Sequence, residues 1–253
     1  MSPTAIGLVV FACTFGGALA GIWLRGRLPE HHLSADSRDT VKLGIGLIAT
    51  LTALVLGLVT ASAKSSFDAL SATIKDSAAQ VLSLDHALAQ YGPETAPARE
   101  TLKQAVLRRI ELVWPSDKRQ SSRLDPRNAV RGAELLPAQI RGLTPQTEEQ
   151  RRLQSRATDL ADSLLETRWH VTASLGTSVP VPFLATLGFW LTLTFASFGL
   201  LAPRNATVVA VLFLCALSVA GAVFLILEMD SPFQGLITVS PDPLRYALEH
   251  LNL

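Results

Sequence analysis

The chain has 253 residues, of which 49% are hydrophobic and only 17% are charged, and its mean hydropathy is +0.33. This composition is typical of a protein that is partly embedded in a membrane and partly soluble, and it argues against an ordinary globular enzyme. The formal net charge of +1 offers no basic surplus for a polyanion, so nucleic acid is not an expected partner.

Four long apolar stretches dominate the sequence, and each has roughly the 20 residues that an α-helix needs to cross a bilayer. None carries a charged side chain in its interior. The predicted membrane spans are Ala5 to Leu24, Val41 to Ala63, Val181 to Ala202 and Asn205 to Leu227. Membrane lipid is therefore an expected partner.

The first stretch is predicted to be a retained span and not a cleaved signal peptide. No Lys or Arg precedes it, whereas Arg25 and Arg27 follow it at once and are typical of an anchor at the membrane edge. The two cysteines, Cys13 and Cys215, lie inside spans and are expected to be unpaired.

The second span is predicted to continue beyond the membrane as one amphipathic helix from Val41 to about Tyr91. Apolar residues recur there at steps of three or four, and Gly92 and Pro93 then provide a stop: Phe67, Leu70, Ile74, Ala78, Val81, Leu84 and Leu88.

Three further soluble helices are predicted. The first begins after Thr95, ends at Pro115 and buries Leu102, Val106, Ile110 and Val113; a short piece covers Val130 to Ile140. A long helix follows the fresh start at Thr144 and Pro145, with an apolar face of Leu153, Ala157, Leu160, Leu164 and Val171.

The remaining segments complete an all-α membrane protein. Pro203-Arg204-Asn205 is short enough to be a tight turn, Gly235 to Val239 is the one segment with strand-like alternation, and Asp242 starts a final amphipathic helix. We expect four transmembrane helices in two hairpins, with a helical soluble domain inserted between the second and third. The expected parts are 1–63 and 181–228 for the two transmembrane pairs, 64–180 for the soluble domain and 229–253 for the C-terminal turn and helix.

No catalytic residues and no cofactor are expected, because the five histidines are scattered and neither a phosphate-binding glycine loop nor a nucleophile elbow is present. Glu30, His31, His32 and Asp36 form the one cluster with metal-binding residue types. Adjacent histidines project in different directions on most backbones, so a solvated loop is favoured over a metal site.

A stripe of small and hydroxyl side chains follows one face of the second span: Gly46, Thr50, Ala53, Gly57, Thr60 and Ala61. Such a stripe lets helices pack closely in lipid, which is the commoner reason for small residues at this spacing. Alternatively, several copies of the helix surround an axis, and the stripe lines a narrow pore.

Charged residues flank the spans at positions where a pore would have its mouths. Lys42 and Lys64 bracket the second span and would form rings that attract anions in a symmetric oligomer. Glu228 and Asp230 after the fourth span would either favour cations or merely solvate the end of that helix. Single lysines at membrane edges also serve as headgroup anchors. Because no carboxylate, histidine or lysine lies in the interior of a span, ion-coupled transport is not expected.

Several short motifs together resemble the bacterial bestrophin-like family, and they extend over about Ala5 to Leu251. The motifs are Leu56-Gly57-Leu58, Ala61-Ser62-Ala63-Lys64-Ser65-Ser66-Phe67, Tyr91-Gly92-Pro93, Trp114-Pro115, Phe195-Ala196-Ser197-Phe198-Gly199-Leu200, Pro203-Arg204-Asn205 and Pro232-Phe233-Gln234-Gly235. The resemblance implies a relation to bestrophins, which are pentameric, mostly anion-selective channels with a helical cytoplasmic domain between the second and third membrane helices.

The resemblance also implies that the second membrane helix lines the pore, which points to the stripe from Gly46 to Ala61. The sequence departs from bestrophins there, because no Phe, Tyr or Trp lies between Val41 and Ala63 and only Leu, Ile and Val are available for a constriction. It also lacks an acidic run comparable with the calcium clasp of the animal channels.

Charge and resemblance disagree on the orientation of the soluble domain. The cations opposite that domain are Arg25, Arg27, Arg38, Lys42 and Arg204; those on its own side are Lys64, Lys75, Arg168 and Arg245. This count leans toward a soluble domain outside the cytoplasm. The resemblance implies a cytoplasmic domain, and we follow it.

The sequence thus predicts an oligomeric channel-like protein of the bacterial inner membrane that conducts small inorganic ions passively, with anions favoured and a pentamer implied by resemblance. The alternative is a non-conducting membrane scaffold whose helical domain binds partner proteins.

Overall fold

The computed structural model describes residues 2–27, 29, 35–115, 135–173, 181–233 and 235–251. The helices in these ranges are α1 (Pro3–Arg25), α2 (Ala35–Tyr91), α3 (Ala96–Val113), α4 (135–141), α5 (Glu148–Ala173), α6 (Val181–Leu201), α7 (Ala206–Met229) and α8 (Asp242–His250), with a 3-10 turn at Pro93–Thr95. The ranges contain no strand, which confirms the all-α prediction. Gly235 to Val239 therefore does not form the strand that its alternation suggested.

Four of these helices, α1, α2, α6 and α7, are long and apolar enough to cross a membrane, with a mean hydropathy of 1.7 to 2.8 over their most apolar segments. They coincide with the four predicted spans to within a few residues. α2 is a single helix of 57 residues that begins at Ala35, six residues before the predicted start at Val41.

The chain divides into two compact units. Unit 1 comprises Met1–Phe67 and Thr177–Thr238, and unit 2 comprises Asp68–Gly176 and Val239–Leu253. Unit 1 therefore holds the four apolar helices, with the apolar part of α2, and unit 2 holds the polar part of α2 together with α3, α4, α5 and α8.

Helix α1 packs against α6 and α7 in unit 1. Glycines allow the close approach of α1 to α6, because a Cβ at Gly21 would collide with the carbonyl oxygen of Ala196 and one at Gly199 would collide with that of Ala18. Ala18 and Phe195 are buried together between these helices. The arrangement of the four spans in two hairpins stays a prediction, since the extensive packing joins α1 to α6 and α7.

Arginine side chains tie the end of α1 to the turn after α6. Arg25 donates a hydrogen bond to the carbonyl oxygen of Ala202, and Arg204 donates to the carbonyl oxygen of Ile22 at 3.2 Å. Arg27 lies 3.9 Å above the ring of Trp23. These contacts satisfy helix-terminal carbonyls that would otherwise lack partners, and cation–π contact with tryptophan is common at membrane edges.

The core of unit 2 follows the predicted apolar faces. The fully or nearly fully buried side chains include Ile74, Leu84 and Leu88 of α2, Leu102 and Val106 of α3, Ile140 of α4, Ala157 of α5, and Leu244 and Ala247 of α8. Burial of these side chains removes apolar surface from water and stabilises the bundle. The predicted helical piece before residue 135 lies outside the described residues.

One glycine and two threonines set the helix boundaries in unit 2. Gly92, with φ of +139°, reverses the chain after α2, and Thr95 fixes the turn by donating to the carbonyl oxygen of Leu88 at 2.6 Å. Helix α5 begins at Glu148 and not directly after Pro145, because Thr147 Oγ1 accepts a hydrogen bond from Gln150 N at 3.1 Å and so acts as the cap.

Candidate pore-lining site

The apolar part of α2 has one face that packs within unit 1 and two faces that do not. Ile45, Thr52 and Ala63 are buried on the packing face. The six residues of the small-residue stripe are all exposed: Gly46, Thr50, Ala53, Gly57, Thr60 and Ala61. The stripe therefore does not serve packing within the chain, which leaves neighbouring molecules, lipid or a water-filled passage to cover it.

The glycines of α2 differ from those that hold α1 against α6. A Cβ placed on Gly46 or Gly57 would meet no atom within 4 Å, whereas one on Gly21 or Gly199 would collide with backbone. The glycines of the stripe consequently leave free space beside α2 in the single chain.

The threonines of the stripe present hydroxyl oxygens along it. Thr50 Oγ1 donates to the carbonyl oxygen of Gly46 at 2.8 Å, and Thr60 Oγ1 donates to that of Leu56 at 2.7 Å. With its proton engaged in this way, each hydroxyl offers lone pairs to the exposed side of the helix. An anion would have to draw the proton away from the carbonyl to be bound here.

The two lysines that bracket the second span lie on the same side of α2 as the stripe. Lys64 follows Lys42 by 22 residues, which turns a regular helix by six complete turns and about 40° and advances it by about 33 Å. Both side chains are exposed. Lys42 forms an ion pair of 2.9 Å with Asp39 in which the side chains are 60% and 70% exposed, so the pair is weak and lowers the net charge at that end.

The two acidic candidates differ in their environment. Glu228 is only 2% exposed, and its Oε2 atom accepts hydrogen bonds from the backbone N–H groups of Leu236 at 2.5 Å and Ile237 at 3.3 Å. This buried carboxylate holds the turn after α7, so its role in the single chain is structural. Asp230 is half-buried and caps the end of α7.

A row of leucines, which the sequence interpretation did not single out, occupies the second free face of α2. Leu43, Leu47, Leu54 and Leu58 are 78%, 64%, 69% and 67% exposed. On a regular helix their mean direction lies about a quarter turn from the stripe. The sequence does not separate the leucine face from the packing face, because both are apolar. A membrane span lacks the polar residues that mark the faces of a soluble helix.

Metal binding gains no support from the part of the chain that the structure describes, where no group of three or more His, Cys, Asp or Glu side chains could hold an ion. The loop residues Glu30, His31 and His32 and the side chain of Asp36 lie outside that part. Cys13 and Cys215 are both exposed and form no disulfide.

Comparison with known proteins places the chain in a family. The model of the bestrophin-like domain matches residues 12–244. The chain belongs to the bestrophin-like family. The match includes the whole apolar part of α2 and both spans after the soluble helices.

A solved structure has the same fold as this bestrophin-like chain. It is the crystal structure of a point-mutated bacterial bestrophin homologue from Klebsiella pneumoniae, with a TM-score of 0.60, 15% sequence identity, and coverage of 96% of this chain and 97% of that one. Among curated proteins, none is similar enough in sequence to match. The chain is thus a membrane protein of bestrophin-like fold.

Proposed function

We propose that this protein assembles as a homo-oligomer in the bacterial inner membrane and conducts small inorganic ions passively, with α2 bordering the passage. The observation that carries the proposal is the exposure of all six stripe residues on a helix whose opposite side is buried in unit 1. Lipid, a neighbouring subunit or water can cover such a stripe of small and hydroxyl side chains, and further copies of the same chain around an axis would place it beside a passage. Bestrophin-like family membership supports a pentamer.

Electrostatics favours anions at the mouths of this passage. In an oligomer, Lys42 and Lys64 repeat once per subunit and form two rings of ammonium groups, which raise the local anion concentration. The hydroxyl and carbonyl oxygens of the stripe are neutral dipoles that favour cations, and Asp39 offsets Lys42. Full charges act over longer distances than dipoles, so we propose anion preference.

Ionic current from the purified oligomer in a planar bilayer tests this function. Under a combined chloride and potassium gradient, a reversal potential near that of chloride would support the proposal. A reversal potential near that of potassium would support a conducting passage that prefers cations, and it would contradict the proposed anion preference. An intact oligomer that passes no current over a range of voltage, pH and calcium would instead support the non-conducting scaffold.

A substitution in the stripe tests the location of the passage. Gly57→Leu adds a bulky side chain where the single chain leaves free space, so we expect current to fall on the order of tenfold or more with the oligomer intact. Gly16→Leu is the matched control, because Gly16 is another exposed span glycine whose Cβ would meet no atom within 4 Å. Equal current in both variants would exclude the stripe as the lining.

A further inference from the structure

Unit 2 contains a cleft of about 460 Å³ between four helices. Five of its lining residues are ionisable, and they come from separate elements: Asp85 and His86 from α2, Arg99 from α3, Arg156 from α5 and His250 from α8. The volume falls in the range of small-molecule sites, roughly 300–1,000 Å³.

The charge balance of the cleft is positive. Asp85 is its one carboxylate, and Arg99 engages both carboxylate oxygens with Nε at 2.7 Å and Nη2 at 2.8 Å. The side chains of Asp85 and Arg99 are only 8% and 19% exposed. Their opposite charges offset each other, so the pair adds little net charge to the cleft. Arg156 is exposed and has no hydrogen bond or ion pair with any residue that the structure describes, which leaves its guanidinium charge for a ligand.

The two histidines each retain one ring nitrogen. Gln90 Nε2 lies 3.0 Å from His86 Nε2, and with the amide as donor the neutral ring carries its proton on Nδ1. His250 donates from Nδ1 to the carbonyl oxygen of Tyr246 at 2.8 Å, and its Nε2 is not used. The free ring nitrogens therefore differ: His86 has an Nδ1–H group that can donate to a ligand, whereas the free Nε2 of His250 is itself an acceptor, so Arg156 is the charged donor of the cleft.

We propose that this cleft binds a small organic oxyanion, that is, a molecule with a phosphate or carboxylate group on a compact apolar body. The guanidinium fork of Arg156 suits the paired oxygens of either group. The cleft exceeds the size of a bare inorganic anion, and Leu82, Ala87 and Ala89 supply apolar lining for the body. An oxyanion that binds only the folded cleft also stabilises unit 2.

Calorimetric titration of the purified full chain in detergent tests the proposal, with phenyl phosphate and benzoate as probes at constant ionic strength. The two probes share a ring and differ in charge, so we expect saturable binding of both with the phosphate tighter. Arg156→Gln should weaken binding of phenyl phosphate by about tenfold or more, since it removes a charge-assisted hydrogen bond.

Arg152→Gln is the matched control, because Arg152 is an exposed arginine one turn earlier on α5 that does not line the cleft. We expect its affinity to stay within about twofold of the parent, as the lost charge is exposed to solvent and does not line the cleft. Both arginines are exposed, so neither change should lower the melting temperature; His86→Ala, which removes the free Nδ1–H donor, provides a second variant if Arg156→Gln does. Absence of saturable binding, or equal loss in the Arg156 and Arg152 variants, would overturn the proposal.

Discussion

Tyr91 is buried where α2 ends, and its hydroxyl group has no hydrogen-bond partner among the described residues. Burial raises the pKa of this phenol above its ordinary value of 10.0, and the charge of Glu94 adds to the rise. Because the folded pKa exceeds the unfolded one, the neutral tyrosine contributes stability that is fully present below about pH 10 and is lost as the pH rises toward the folded pKa.

Tyr91→Phe should therefore stabilise the protein and remove this pH dependence. At neutral pH the variant no longer buries an unpaired hydroxyl, and we expect the free energy of unfolding to rise by about 1 kcal/mol. Above about pH 10 the advantage over the parent should widen, since only the parent has a phenol that ionises more readily when unfolded. Denaturant titrations in detergent at neutral and alkaline pH measure both effects. A constant difference across pH would show that Tyr91 does not titrate abnormally.

Glu228 shows what the environment of a residue adds to an interpretation based on position alone, and its place at a pore mouth stays a prediction. Its place after the fourth span suggested a pore mouth, but only the structure reveals the two backbone N–H donors of the turn that fold back onto it. Such partners satisfy a carboxyl group that is buried away from water. The sequence contained one hint, the glycine at position 235, and in the structure Gly235 has a positive φ of 117° at the tight return of the chain.

At the scale of elements, the contact between α1 and α6 depends on glycine. Gly21→Ala should disrupt it, because the added methyl group would collide with the backbone of α6 at Ala196 and Leu200. Backbone cannot yield as a flexible side chain does, so we expect a loss of about 1–3 kcal/mol, seen as a lower melting temperature in detergent. Gly16→Ala is the control on the same helix, since its Cβ meets no atom within 4 Å. Equal melting temperatures for the two variants would contradict the close contact.

The helices themselves were predictable, and the partners of the membrane helices were not. The length of the apolar stretches predicted the four spans, and the periodicity of apolar residues predicted the buried faces of α3 and α8. Both features depend on local sequence alone. Which helix lies against α1 depends on the shape of two surfaces. Small residues at Gly17, Gly21 and Gly199 are compatible with many pairings in lipid.

At the scale of the whole molecule, the surroundings of the candidate site were also not predictable from local sequence. The sequence identified a stripe of small residues on α2 but could not separate a packing face from a lining face. The structure narrows the choice by showing that α2 buries neither the stripe nor the leucine row within its own chain. An oligomer has to cover or hydrate both faces, and they differ in chemistry: leucines suit lipid or a neighbouring subunit, whereas bare backbone and hydroxyl groups suit water.

Thiol labelling separates the two faces in the assembled protein. With Cys13→Ser and Cys215→Ser as the background, we expect Gly57→Cys to react on the order of tenfold faster than Leu58→Cys with a charged, membrane-impermeant thiol reagent applied from both sides. The two positions are neighbours at almost equal depth and differ by about 100° around the helix, so depth alone cannot produce the difference. Faster reaction at Leu58→Cys would show that the leucine row, and not the stripe, faces water. If neither thiol reacts, the proposal of a water-filled passage beside α2 is wrong, because a thiolate forms and reacts only where water reaches it.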